Sequence, residues 1–185
     1  PLHILIETQS ALSEVFQIAS IEGLQGLTFG LLDFVSDHQG AVPASAMRSP
    51  NQFAHQLISR AKTEVAAAAL RYGLIATHNP CLEIQDRSVA FNDAKTARNN
   101  YGYMRMYSIH PSQIESIISG MRPSEDEIET AGEILLAAQA ADWGPISHKN
   151  EMHDRASYRY FWHLLQRAHV NGAPISTAAK NSFFQ

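Results

Sequence analysis

The sequence holds one cysteine, Cys81, among 185 residues, so no disulfide can close within it. No apolar run nears the ~20 residues needed to span a bilayer. The longest, Val65 to Leu70, is mostly alanine at helix spacing. There is no cationic surplus either: 14 Lys and Arg stand against 18 Asp and Glu, a formal charge of -4, which offers nothing to neutralise a phosphate backbone or an anionic lipid surface. A disulfide-stapled scaffold, a membrane span and a nucleic-acid partner are therefore not expected. No positively charged start leads into an apolar signal region, and a cytoplasmic location is the expectation.

What is present is an ordinary globular balance, 45% hydrophobic and 17% charged, in a length that suits one sizeable core. The chain opens directly in a strand-like run, Pro1-Leu2-His3-Ile4-Leu5-Ile6-Glu7, without an initiator Met. The expectation is a piece of something longer.

Apolar runs then alternate with helix-period segments. Ile4 to Ile6 reads as a strand, and Leu12, Val15, Phe16 and Ala19 fall on one helical face before Gly23. Leu24 to Phe29 reads as a second strand, followed by a long polar loop through Gly40, Pro43 and Pro50. A helix follows from about Asn51 to Tyr72, with Phe53, Leu57, Ala61, Val65 and Ala68 as its core stripe. Leu74 to Thr77 is a third strand, Ser88 to Asn99 a helix, and Tyr103 to Ile109 a fourth strand leading through His110-Pro111-Ser112 into a helix with Ile114, Ile117 and Ile118. Beyond these four βα units only helices are expected. Ser124 and Glu127 form a capping box that opens a helix to Trp143, and Asp154 caps another carrying Tyr158, Phe161, Trp162 and Leu165. The segment after Gly172 is expected to be loosely ordered.

Repeated βα units imply a parallel sheet with right-handed crossovers. Two architectures remain open: a small doubly wound sheet complete in itself, or part of a barrel, since four more units would close the two exposed edges. In either, chemistry gathers at the carboxyl ends of the strands, where Glu7 and Asp33 stand on neighbours. Two carboxylates in one mouth call for a cation between them, and Mg²⁺, or similarly Mn²⁺, suits few protein ligands with open positions. The alternative is that both acids cap helices.

Four stretches, Leu5-Ile6-Glu7-Thr8, Leu27 through Phe34, Ile109 through Ile114 and Arg122 through Ala131, resemble in order and spacing the citrate lyase β-subunit-like branch of the 2-keto-3-deoxy-acid aldolase/citrate lyase superfamily. The resemblance implies a parallel (β/α)8 TIM barrel, of which this chain holds strands five to eight over residues 1–122, then a helical extension over 123–172 and a tail over 173–185. It implies that Glu7 and Asp33 are the Mg²⁺ ligands. It also implies that Asp154, in Glu151-Met152-His153-Asp154, acts as acid/base on a neighbouring subunit, with Asn150 and Ala156 departing from the usual Gly and Pro. His78-Asn79 replaces a pair that is often Asp-Gly.

The implied activity is carbon–carbon lyase chemistry on a citryl- or malyl-type acyl-CoA thioester, in a homotrimer, with this stretch alone inactive because a substrate-binding Arg of an early strand lies outside it. The alternatives are a Mg²⁺-dependent aldolase for 2-oxo acids, against which Leu5 stands in place of the usual Gln, and a non-catalytic relative. His110 is a candidate substrate contact at the mouth. No zinc site is expected at His148 and His153, Cys81 has no nucleophilic setting, and the aromatic face on the last helix reads as packing.

Overall fold

The computed structural model describes residues 1–184, which divide into two compact units, Pro1–Met121 and a second from Arg122 onward.

In the first unit, β1 (Leu2–Ile6) leads into α1 (Gln9–Ser13) and α2 (Val15–Ala19), then β2 (Leu24–Phe29) and α3 (Leu31–Asp37). A 3-10 turn at Ala44–Met47 precedes α4 (Asn51–Ala54) and α5 (Gln56–Arg71). Next come β3 (Ile75–His78), α6 (Arg87–Tyr101), β4 (Arg105–Met106), a 3-10 turn at Pro111–Gln113 and α7 (Ile114–Met121). The four strands form one sheet in the order β1-β2-β3-β4, every pair parallel.

Register assigns the two faces of this sheet. Ile4, Leu27 and Ala76 are partners, as are Ile6 and Phe29, and this face is sealed by α5: Ile6, Leu27, Phe29, Ile58, Ala61 and Val65 are fully buried. Each large side chain so buried contributes about 1.5–3 kcal/mol. The other face carries Leu5, Thr28, Thr77 and Arg105 in register, and Leu5 is 49% exposed.

Several expectations need correction. The polar loop after β2 begins with α3, because Leu31, Phe34 and Val35 at i, i+3 and i+4 are buried against the core. The long helix breaks at His55, which is extended (φ -72°, ψ 121°), and Ile58 rather than the exposed Leu57 faces the core. The fourth strand shrinks to two paired residues. Beyond them Met104 N–H donates to Ala76 O and Tyr107 N–H to His78 O, so the backbone continues alongside β3, with no further strand beyond β4 among the described residues.

The second unit comprises α8 (Glu125–Ala140), a hairpin of β5 (Ile146–His148) and β6 (Glu151–His153), α9 (Arg155–Val170) and α10 (Thr177–Phe183). Its core joins Ile128, Ile134 and Leu135 of α8 to Leu164, Leu165 and Ala168 of α9. The Ser124 capping box forms as its spacing requires: Glu127 N–H donates to Ser124 Oγ and Ser124 N–H to Glu127 Oε2. Two features depart from an all-helical extension with a loose tail. Lys149 and Asn150 both take positive φ (48° and 67°), the requirement of a two-residue hairpin turn. Residues 177–183 form a helix capped by Ser176, with Ala179 fully buried beside Gly132 of α8.

Candidate active site at the carboxyl ends of the strands

Glu7 follows β1 by one residue and Asp33 lies in the first turn of α3, directly after β2. Neither carboxylate accepts a hydrogen bond or joins an ion pair among the described residues. The capping alternative fails on particulars. The residue that caps α1 is Thr8, whose Oγ1 accepts from Ala11 N–H at 3.1 Å, and the N-cap of α3 is Gly30, with no side-chain bond. Both acids are left uncommitted, as ligands awaiting a cation would be.

Gly30 lets Glu7 approach the end of β2 closely. Its N–H donates to Ile6 O at 2.9 Å, and a Cβ placed on it would fall 2.6 Å from Glu7 Cβ and 3.0 Å from Glu7 Oε2. With φ at -96° the requirement is steric: only a residue without a side chain lets Glu7 lie flat over the end of β2. Asp33 and Gly30 line a cavity of about 370 Å³, walled also by Leu5 and Thr28 from the strands and by Pro80, Tyr107, Ser108 and Ile109 from the following loops. That volume suits a small ligand. Among the described residues no cluster of three or more His, Cys, Asp or Glu is assembled, so a cation held by Glu7 and Asp33 would take its other ligands from water and substrate oxygens. That donor set fits Mg²⁺.

Two buried side chains that the sequence did not single out hold the loops of this mouth. Gln113, fully buried, donates through Nε2 to Cys81 O (2.8 Å) and Glu83 O (2.9 Å), while its Oε1 accepts from Ile109 N–H (3.2 Å). It thereby ties the loop after β3 to the loop after β4. The second is Lys62 of α5, also fully buried, whose Nζ donates to Gln52 Oε1 (3.0 Å), His78 Nε2 (2.5 Å) and Asn79 Oδ1 (2.5 Å) and lies over the rings of Phe29 and Phe53. Three acceptors match the three N–H bonds of an ammonium. His78 Nδ1 donates to Asn79 O, which leaves Nε2 as the acceptor. The network continues through Gln52 Nε2 to Asp93 Oδ2 (3.0 Å) and Ser49 Oγ (2.9 Å), and Asn79 Nδ2 donates to Pro80 O at the cavity wall.

Burial dominates the electrostatics of this network. It pushes the Lys62 amine well below its ordinary value, with the Asp93 carboxylate acting the other way. Burial and the neighbouring Lys62 both lower His78. Burial raises the Asp93 carboxyl and pushes the Cys81 thiol up to about 11, an inert thiol as its sequence setting implied. His78 and Asn79 are fully buried and committed to Lys62, so they shape the mouth from behind.

The remaining candidates make local contacts in the described residues. His110 Nδ1 accepts from Ser112 N–H at 3.2 Å, capping the turn that delivers Gln113, while Ile109 supplies the cavity wall. Asp154 lies in the second unit as the N-cap of α9: Oδ1 accepts from Ala156 N–H at 2.9 Å and the Asp154 N–H donates to Ser157 Oγ at 3.2 Å. His148 pairs with Glu133 at 2.9 Å. A separate cavity of about 390 Å³ within the second unit is lined by Leu135, Trp143, Tyr158, Arg159, Trp162 and Phe183, with no carboxylate among them.

No family model matches the chain. It is 51% identical to a citrate lyase from Burkholderia xenovorans LB400 whose crystal structure it matches over 99% of its own length and 57% of that chain, with a TM-score of 0.89. These relatives support its membership of the citrate lyase β-subunit-like branch of the superfamily. A citrate lyase subunit beta-like protein of Mycobacterium tuberculosis H37Rv is 24% identical over 164 residues, 89% of this chain and 58% of the relative. The fold is shared with CitE from Mycobacterium tuberculosis, solved with magnesium, acetoacetate and coenzyme A, at a TM-score of 0.75 over 89% of this chain and 60% of that one. The chain thus has the parallel α/β sheet and covering helices of citrate lyase β-like structures, and spans little more than half the length of the relatives it matches.

Proposed function

We propose that this chain is the carboxyl-terminal half of a (β/α)8 barrel, with its helical extension, in a Mg²⁺-dependent carbon–carbon lyase acting on a citryl- or malyl-type acyl-CoA thioester. The consecutive strand order supports the barrel, because a doubly wound sheet reverses its order at a switch point. The observation that carries the function is the pair of uncommitted carboxylates, Glu7 and Asp33, at the ends of adjacent parallel strands. Magnesium in several solved relatives, with coenzyme A in one of them, supports the choice of cation and substrate class.

In this reading Glu7 and Asp33 hold the cation, and Gly30 keeps Glu7 in place. The cation, when bound, supplies Lewis acidity toward substrate oxygens that gain negative charge as the carbon–carbon bond breaks. Leu5, Pro80 and Ile109 wall the cavity against water. Asp154 moves the proton at the reacting carbon from a neighbouring subunit of a trimer. His110 fixes the turn beside the mouth, within reach of substrate. The protein works in the cytoplasm, and residues 1–185 alone are inactive.

Calorimetric titration of the intact protein with Mg²⁺, with and without an acyl-CoA, tests the reading. Binding that strengthens with the thioester and vanishes in Glu7→Ala and Asp33→Ala is expected, together with cleavage of the thioester substrate. Normal turnover by either variant would overturn it. Pyruvate release from a hydroxy-oxo acid without thioester cleavage would transfer the assignment to a 2-oxo acid aldolase, and Mg²⁺ binding without turnover to a non-catalytic relative.

A further inference from the structure

Thr28 Oγ1 is buried and has no hydrogen-bond partner. Buried hydroxyls are normally paired, and an unpaired one at a candidate site calls for an explanation. A valine would fill the same volume in a strand without a polar atom, so a threonine here is favoured only if something else engages its hydroxyl.

Its place in the sheet indicates what that is. Thr28 is the register partner of Leu5 on one side and Thr77 on the other, on the face opposite the helix-covered core. Two residues further along the same strands stand Glu7 and Gly30, in contact with each other. Side chains two apart share a face, so Thr28 lies one step below the Glu7–Gly30 contact, and it lines the same 370 Å³ cavity as Asp33. The strand neighbour on the β1 side, Leu5, offers no acceptor for its proton.

We propose that Thr28 is a substrate-contacting, specificity-determining residue whose hydroxyl donates a hydrogen bond to a carboxylate or carbonyl oxygen of the acid held at the mouth. This rests on the reading of Glu7 and Asp33 as the cation site and adds the contact that selects an oxygen-bearing substrate over an isosteric alkyl one. A site built to hydrogen-bond a substrate discriminates strongly against analogues lacking the partner atom.

The test compares the intact protein with Thr28→Val and Thr28→Ser, titrating Mg²⁺ alone and then oxaloacetate in saturating Mg²⁺, alongside thermal unfolding. Thr28→Val should bind Mg²⁺ within about twofold of the parent, unfold at the same or a higher temperature, and lose about tenfold or more in oxaloacetate affinity, with Thr28→Ser retaining most of it. Unchanged oxaloacetate binding by Thr28→Val overturns the Thr28 assignment alone. So does a lower unfolding temperature accompanied by lost Mg²⁺ binding, which would mark a structural role. Failure of the parent to bind Mg²⁺ or oxaloacetate overturns the cation-site reading and, with it, this one.

Discussion

Gln113 Nε2 donates to the carbonyl of Cys81 at 2.8 Å across 32 residues of chain, and the same side chain accepts from Ile109 N–H. One buried amide therefore satisfies backbone groups of two separate loops at the candidate mouth. Gln113→Ala leaves the Cys81 and Glu83 carbonyls and the Ile109 N–H without that partner. Stranded buried polar groups cost about 1–3 kcal/mol each, and a total loss of about 3 kcal/mol is expected in urea unfolding, with faster proteolysis at residues 79–86 and 107–110.

Gly30→Ala probes the contact that seats Glu7. The added Cβ would meet Glu7 Cβ at 2.6 Å, closer than van der Waals contact permits, and the carboxylate must shift. If Glu7 and Asp33 hold the cation as proposed, this shift should weaken Mg²⁺ binding about 10- to 100-fold by calorimetry, with Asp33→Asn as the reference for outright loss of a carboxylate.

Asp93 makes stability depend on pH in a direction opposite to that of an ion-paired acid. Burial raises its folded pKa above the unfolded value of about 3.9, so the folded chain keeps the proton to higher pH. The stabilisation is complete below pH ~3.9 and is lost as pH rises through the folded pKa. Asp93→Asn is neutral throughout. The unfolding free energy of the parent minus that of Asp93→Asn should therefore fall as pH rises over this window and level off above it, as measured by urea unfolding at a series of pH values.

In the second unit, Tyr158 Oη contacts both Gly144 O (2.7 Å) and His153 O (3.0 Å), joining the two ends of the β5–β6 hairpin to α9. Tyr158→Phe removes the donor and should cost about 1–2 kcal/mol in denaturant unfolding followed by the fluorescence of Trp143, whose ring packs edge-on against Tyr158.

These residues also mark what was legible in the sequence. The placement of Glu7 and Asp33 just past two strand ends could be read because strand ends and their following residues are local patterns, and the Ser124 cap because its partner is three residues away. Lys62 could not. A lysine on an amphipathic helix reads as solvent-facing, and its acceptors lie 10, 16 and 17 residues away on α4 and at the end of β3, so only the fold assembles them. Gln113 stood inside a recognised motif, but the reason for its presence is a pair of loop carbonyls 30 and 32 residues back. Helix α3 had the signal of Leu31, Phe34 and Val35, masked by the polar and turn-forming residues that follow; the hairpin signal was Asn150 at a position needing positive φ. The Thr28 hydroxyl left no trace, since threonine is at home in any strand.

The strand order has a consequence for how the sheet is made. Because β2 pairs with β1, β3 with β2 and β4 with β3, each strand finds its partner in the strand synthesised just before it. Within these four strands no early one waits for a late one to be inserted beside it. The sheet can therefore grow in the direction of translation, one βα unit at a time, with each crossover helix covering the apolar face of the newest pair before the next strand leaves the ribosome.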